Sequence, residues 1–200
     1  MNAVRQRVPF RFSEDEEQDN HVLDEQEQEE VIDRLRRESA SSNAIYLIGL
    51  QAIIGLSVLL HLIYTLKSPK YSPLAVLFPD SPGGAPLPLA TPLALLQVLI
   101  HMNLSLNVLP STHPVRQAMR SSALPPSFRP PFPLLHPATL LAPTLAPIYA
   151  LFLGQGWADV LWWSLTGLLT TIVVVATKWM RDEEEELANL EKLRYTARGA

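Results

Sequence analysis

Five polar side chains interrupt the apolar run LLQVLIHMNLSLNVLP, Leu95–Pro110: Gln97, His101, Asn103, Ser105 and Asn107. Imidazole and amide groups at such spacing could bind a ligand, relay a proton or hydrogen-bond a neighbouring helix. On a helix with 3.6 residues per turn, Gln97, His101 and Ser105 fall within roughly 80° of one another. Asn103 and Asn107 lie within roughly 40° on another side. Together they cover more than half of the circumference, so most of this helix must face protein rather than lipid, where an unpaired amide costs several kcal/mol.

Two further polar residues, Gln51 and His61, sit in an earlier apolar run. Counting about 1.5 Å per residue from the cytosolic end puts Gln51 and His101 at a common depth of roughly 12–14 Å, with His61 about twice as deep. That spacing predicts a Gln51–His101 contact, an Asn107–Tyr46 contact, and no two-histidine metal site. An ionisable residue inside a membrane suggests function, but neutral amides and histidine more often bridge helices. The candidate contacts are therefore Gln51, His61, Gln97, His101, Asn103 and Asn107, read first as helix-to-helix glue and second as a site. Ser57 and His61 share a helix face but lack a third group for nucleophilic catalysis. Neither paired carboxylates in the apolar region nor a recognisable nucleotide, hydrolase or metalloprotease motif is present, so no catalytic residue, cofactor or metal is assigned.

The elements that must carry these residues follow from charge segregation. Between Asn43 and Thr177 only 7 of 135 positions are charged, whereas residues 1–42 hold 12 acids and 6 arginines. Soluble domains scatter charge along every amphipathic element. Apolar blocks with charged tails indicate an all-α membrane protein, here with four transmembrane helices over residues 43–66, 91–109, 137–153 and 157–179. Pro-rich loops at 67–90 and 110–136 separate them, within a membrane domain spanning 43–179. Leu74–Phe78 could dip into the interface, and Pro143 and Pro147 should kink the third span. Gly154 and Gly156 suit a turn before the fourth.

Residues 1–42 form an acidic arm with a helix near 21–38, a capping-box pair at Ser13 and Glu16, and a Ser-rich hinge at Ser39–Ser42. Glu30–Arg34 and Asp33–Arg37 are spaced as i,i+4 ion pairs. The stretch 180–200 reads as a charged helix continuing the last span towards Tyr195, with Leu187, Leu190 and Leu193 able to pair with the N-terminal helix. His136 and Asp159 lie at the edges of spans.

Eight lysines and arginines (Arg34, Arg36, Arg37, Arg116, Arg120, Arg129, Lys178 and Arg181) fall on one side of a four-span arrangement, against Lys67 and Lys70 on the other. This places both termini in the cytosol. The N-terminal stretch lacks the apolar core of a secretory leader and is too acidic for a mitochondrial transit peptide. With no cysteine, disulfides, zinc thiolates and palmitoylation are excluded. The charges form no basic groove for nucleic acid. The expectation is a non-catalytic multi-pass protein of the endoplasmic reticulum or a related endomembrane. It would contact membrane lipids and a membrane-protein partner as accessory subunit, assembly factor or scaffold. The alternative is a lipid-handling enzyme or transporter subunit with a polar intramembrane cavity around the second span. A membrane-shaping role for the arginine-bearing loop ranks last.

Overall fold

A computed structural model of the chain describes residues 25–80, 86–110, 112–121 and 130–198. Every regular element among them is helical: α1 (Glu25–Leu66), α2 (Pro73–Leu77), α3 (Ala90–Val108), α4 (Pro114–Arg120), α5 (Pro137–Phe152) and α6 (Trp157–Arg198). The capping-box pair Ser13 and Glu16, the first residues of the expected arm helix, and Arg129 lie outside the described residues.

Three helices, α1, α3 and α6, contain stretches long and apolar enough to cross a membrane. Packed beside α3 and α6 is α5, whose 16 residues reach about 24 Å, short of a hydrocarbon core of about 30 Å. It begins with Pro137 in the first turn, where a missing N–H costs nothing, and runs on as helix through Pro143 and Pro147. Its end is a Schellman turn. The Gln155 N–H donates to Ala150 O and the Gly154 N–H to Leu151 O, both at 3.0 Å. Gly154 adopts φ +65°, which glycine tolerates without a Cβ clash. That turn sends α6 back along α5.

The expected hinge at Ser39–Ser42 does not exist: α1 runs unbroken for 42 residues, about 63 Å. Serine is only mildly unfavourable inside a helix, and with helix already formed on both sides, propagation costs less than a break and a second nucleus. Ser39 itself is buried. The α6 helix likewise continues past Trp179 to Arg198.

These two long helices run antiparallel in one register. Tyr64 meets Trp163 edge-on at 5.6 Å, Ile54 and Val173 share a core cluster, and Arg36 Nη2 donates to Glu191 Oε2 at 2.8 Å. From Arg36 to Tyr64 is about 42 Å along the axis, so the pairing extends beyond the apolar segment into the charged ends. The arm's local pairs differ from those expected. Arg34 Nε bonds Glu38 at 2.8 Å, and Arg37 Nε donates to the Asp33 carbonyl oxygen rather than its carboxylate. Arg34 has a carboxylate one turn away in each direction, and the later one is taken.

Two apolar clusters stack along the bundle. One gathers Tyr64, Leu87, Ala94, Ala150, Trp162 and Trp163; the alanines, fully buried at 0 % exposure, let α3 and α5 approach closely. The other gathers Leu50, Ile54, Ile100, Leu104, Leu169 and Val173. Outward-facing Ile45, Ile48, Leu56, Ile63, Leu99 and Leu168 are exposed, as lipid-facing side chains would be.

The connections are more structured than proline content alone implies. Within the stretch expected to dip into the interface, Ser72 caps the single-turn α2 by accepting from the Leu74 N–H, and Phe78 rests on Trp157 at 4.8 Å. Within the second Pro-rich loop, α4 is capped by His113 Nδ1 accepting from Val115 N–H. His136, at the edge of the third expected span, caps α5 in the same way through Ala138 N–H.

A candidate polar site between three helices

The polar residues of the opening run separate into three groups with different partners. Nearest the charged ends, Gln51 Nε2 donates to the Ser105 carbonyl at 2.9 Å, and Ser105 Oγ donates back to Gln51 Oε1 at 2.8 Å. This reciprocal pair joins α1 to α3. Double replacement of Gln51 and Ser105 by alanine should show a coupling energy of about 0.6–1.7 kcal/mol against the single variants, measured by unfolding in detergent.

The second group clamps a non-helical backbone. Asn103 Oδ1 accepts from Phe132 N–H at 2.7 Å, Asn103 Nδ2 donates to Phe132 O at 3.3 Å, and Asn107 Nδ2 donates to the same oxygen at 2.9 Å. Asn107 therefore faces Phe132 and not Tyr46, which is exposed. The choice of Phe132 follows from the sequence PPFP at 130–133. Prolines have no N–H, so Phe132 holds the single amide donor of that stretch.

The third group is the most enclosed. His101, 0 % exposed, places Nδ1 2.6 Å from the Gln97 carbonyl and Nε2 2.8 Å from Ser57 Oγ. A carbonyl only accepts, so Nδ1 carries the proton; Nε2 of the neutral ring then accepts from the serine hydroxyl. His61 repeats the pattern, its Nδ1–H donating to the Ser57 carbonyl at 2.8 Å. The two imidazoles lie 5.2 Å apart, and Trp162 stacks on His61 at 4.9 Å. Gln97 Nε2 reaches the Trp163 carbonyl at 3.4 Å.

The expected Gln51–His101 pairing is thus replaced by Gln51–Ser105 and Ser57–His101. α1 and α3 sit about one turn away from the register that a common plane at residues 43 and 109 would set. The pairing also brings together His61 and His101, which that register would keep apart. Even so, among the described residues there is no cluster of three or more His, Cys, Asp or Glu able to hold a metal.

Ser57 and His101 have the separation of a nucleophile and its base. Ser57, however, sits inside the continuous α1, nine residues before its end, where neighbouring N–H groups are spent on helix bonds and cannot form an oxyanion hole. The orienting partner of His101 is a backbone carbonyl rather than a carboxylate. These hydrogen bonds tie α1 to α3 and α3 to α6. A groove of ≈ 490 Å³ at the α5–α6 turn, lined in part by Gln155, Trp157 and Ser164, includes neither histidine.

Three contributors were missed from sequence. Sequence spacing sets Ser57 only beside His61 on one helix face, and Trp162 and Thr166 only within an apolar span. The i,i+4 spacing of Ser57 with His61, and of Trp162 with Thr166, was the available signal, since it places each pair on one helix face. At the far end, Lys70 Nζ donates to the Tyr64 carbonyl at 3.1 Å and to Thr65 O, capping α1. Comparison of the chain with protein-family models, with curated proteins and with solved structures gives no match.

Proposed function

We propose that this chain is a non-catalytic multi-pass protein of the endoplasmic reticulum or a related endomembrane, acting as accessory subunit, assembly factor or scaffold for a membrane complex. In this reading α5 completes a fourth crossing with the help of its neighbours, and both termini are cytosolic, in keeping with the eight-to-two distribution of lysine and arginine. The observation that carries it is the long α1–α6 pair, joined at Arg36 and Glu191. Its protruding segments, 25–38 and 180–193, hold 12 acids against 5 bases, and Asp182 to Glu186 are all exposed. A rigid acidic projection suits a basic surface on a partner. The cross-helix bonds of Gln51 with Ser105 and of Ser57 with His101 support the same reading.

Replacing Glu183, Glu184, Glu185 and Glu186 together by glutamine should lower recovery of the crosslinked partner from membranes about fivefold or more, with thermal stability unchanged. Undiminished recovery would remove the acidic face from the account.

A further inference from the structure

Where α1, α3 and α6 meet, four polar atoms are buried without a partner in the protein: His61 Nε2, Gln97 Oε1, Trp162 Nε1 and Thr166 Oγ1. Their residues are 0–1 % exposed. Ring contacts and helical spacing link their residues. The His61 ring touches both Trp162 and His101, Gln97 lies one turn before His101, and Thr166 lies one turn after Trp162.

Thr166 departs from the habit of its helix. Thr170, Thr171 and Thr177 each turn the hydroxyl back onto the carbonyl four residues earlier, as threonine commonly does in apolar helices. The Thr166 hydroxyl is left for another partner.

The unmet groups form a definite set. His61 Nδ1–H is committed to the Ser57 carbonyl, so Nε2 of the neutral ring is an acceptor; Gln97 Oε1 is a second. Trp162 Nε1–H is a donor, and the Thr166 hydroxyl supplies another. Buried polar groups are rarely left unsatisfied, least of all within a bilayer.

We propose that this junction binds a single water molecule, which donates to His61 Nε2 and Gln97 Oε1 and accepts from Trp162 Nε1–H and Thr166 Oγ–H. Two hydrogens and two lone pairs answer two acceptors and two donors, the usual valence of a buried water. A lipid hydroxyl carries one hydrogen and would leave one acceptor unmet. Its chain would also need a path through side chains that are almost wholly buried. A metal cation would be welcome at His61 and Gln97 but not beside the Trp162 N–H. The water couples three helices at a polar layer between the two apolar clusters. This assignment stands independently of the partner-docking reading.

The test uses the full chain in lipid bilayers, with ¹⁵N-labelled histidine and tryptophan. Solid-state NMR should show polarisation transfer from water to the His61 imidazole and the Trp162 indole N–H; silence at both sites overturns the proposal. Thr166→Val supplies a second readout of opposite sign under the two cases. If water is held there, the variant leaves it a partner short, and the thermal midpoint falls by about 2–8 °C. If nothing is held, the variant removes a buried unmet hydroxyl, and an unchanged or higher midpoint overturns the assignment. A stoichiometric metal or lipid released by His61→Phe would overturn it as well.

Discussion

Trp162→Ala should be the most damaging single truncation in the bundle, costing about 3–5 kcal/mol. Trp162 is 1 % exposed. It stacks on His61 at 4.9 Å and packs against Tyr64 at 5.7 Å, so its removal opens a void at the junction of α1 and α6. In a membrane, packing contacts rather than expulsion of water hold helices together, and a void forfeits those contacts outright. Natural domains are stable by only about 5–15 kcal/mol, so the loss should appear as a large fall in thermal midpoint in detergent. Trp179→Ala is the matched control, because Trp179 is 70 % exposed and should shift the midpoint little. Equal effects from the two tryptophans would contradict the packing described for α6.

Asn103→Leu should loosen the Pro-flanked segment at Phe132. Asn103 is the acceptor of the Phe132 N–H at 2.7 Å, and leucine leaves that donor unpaired at a cost of about 1–3 kcal/mol. Asn107 still holds the Phe132 carbonyl, so the segment loosens without detaching. Residues 130, 131 and 133 are proline, which makes the Phe132 amide the sole hydrogen-exchange reporter of the stretch. Its exchange should accelerate about 5- to 150-fold, the factor corresponding to that cost. Asn103→Asp, which keeps an acceptor oxygen, should restore most of the protection. Unaltered exchange in the leucine variant would show that the clamp does not hold the segment.

The all-helical character and the membrane-compatible apolar runs were legible in the sequence, because charge is absent from long stretches and proline marks the gaps. Three spanning-length helices and the run of α6 beyond Trp179 match that reading. The α5 helix shows where pattern alone runs out: sixteen residues interrupted by Pro143 and Pro147 read as apolar, but their depth depends on how α3 and α6 support them. The supposed hinge at Ser39–Ser42 failed because a local preference for serine outside helices is small beside helical cooperativity.

The polar contacts were half legible. That Gln97, His101, Asn103 and Asn107 must face protein followed from the cost of placing them in hydrocarbon. Which partner each would choose did not, since register between helices is a property of both. A slip of one turn is enough to exchange His101 for Ser105 opposite Gln51. Phe132 could not be anticipated as the partner of two asparagines, because it belongs to a segment whose path is set by tertiary packing.

The central claim, that this protein serves a membrane complex rather than performing chemistry, is tested most directly by purifying the tagged full chain in mild detergent and quantifying what accompanies it. The account predicts one membrane-protein partner in near-stoichiometric amount. A clean, monodisperse protein carrying only lipid would contradict it and turn attention to Ser57, His61 and His101 as a site.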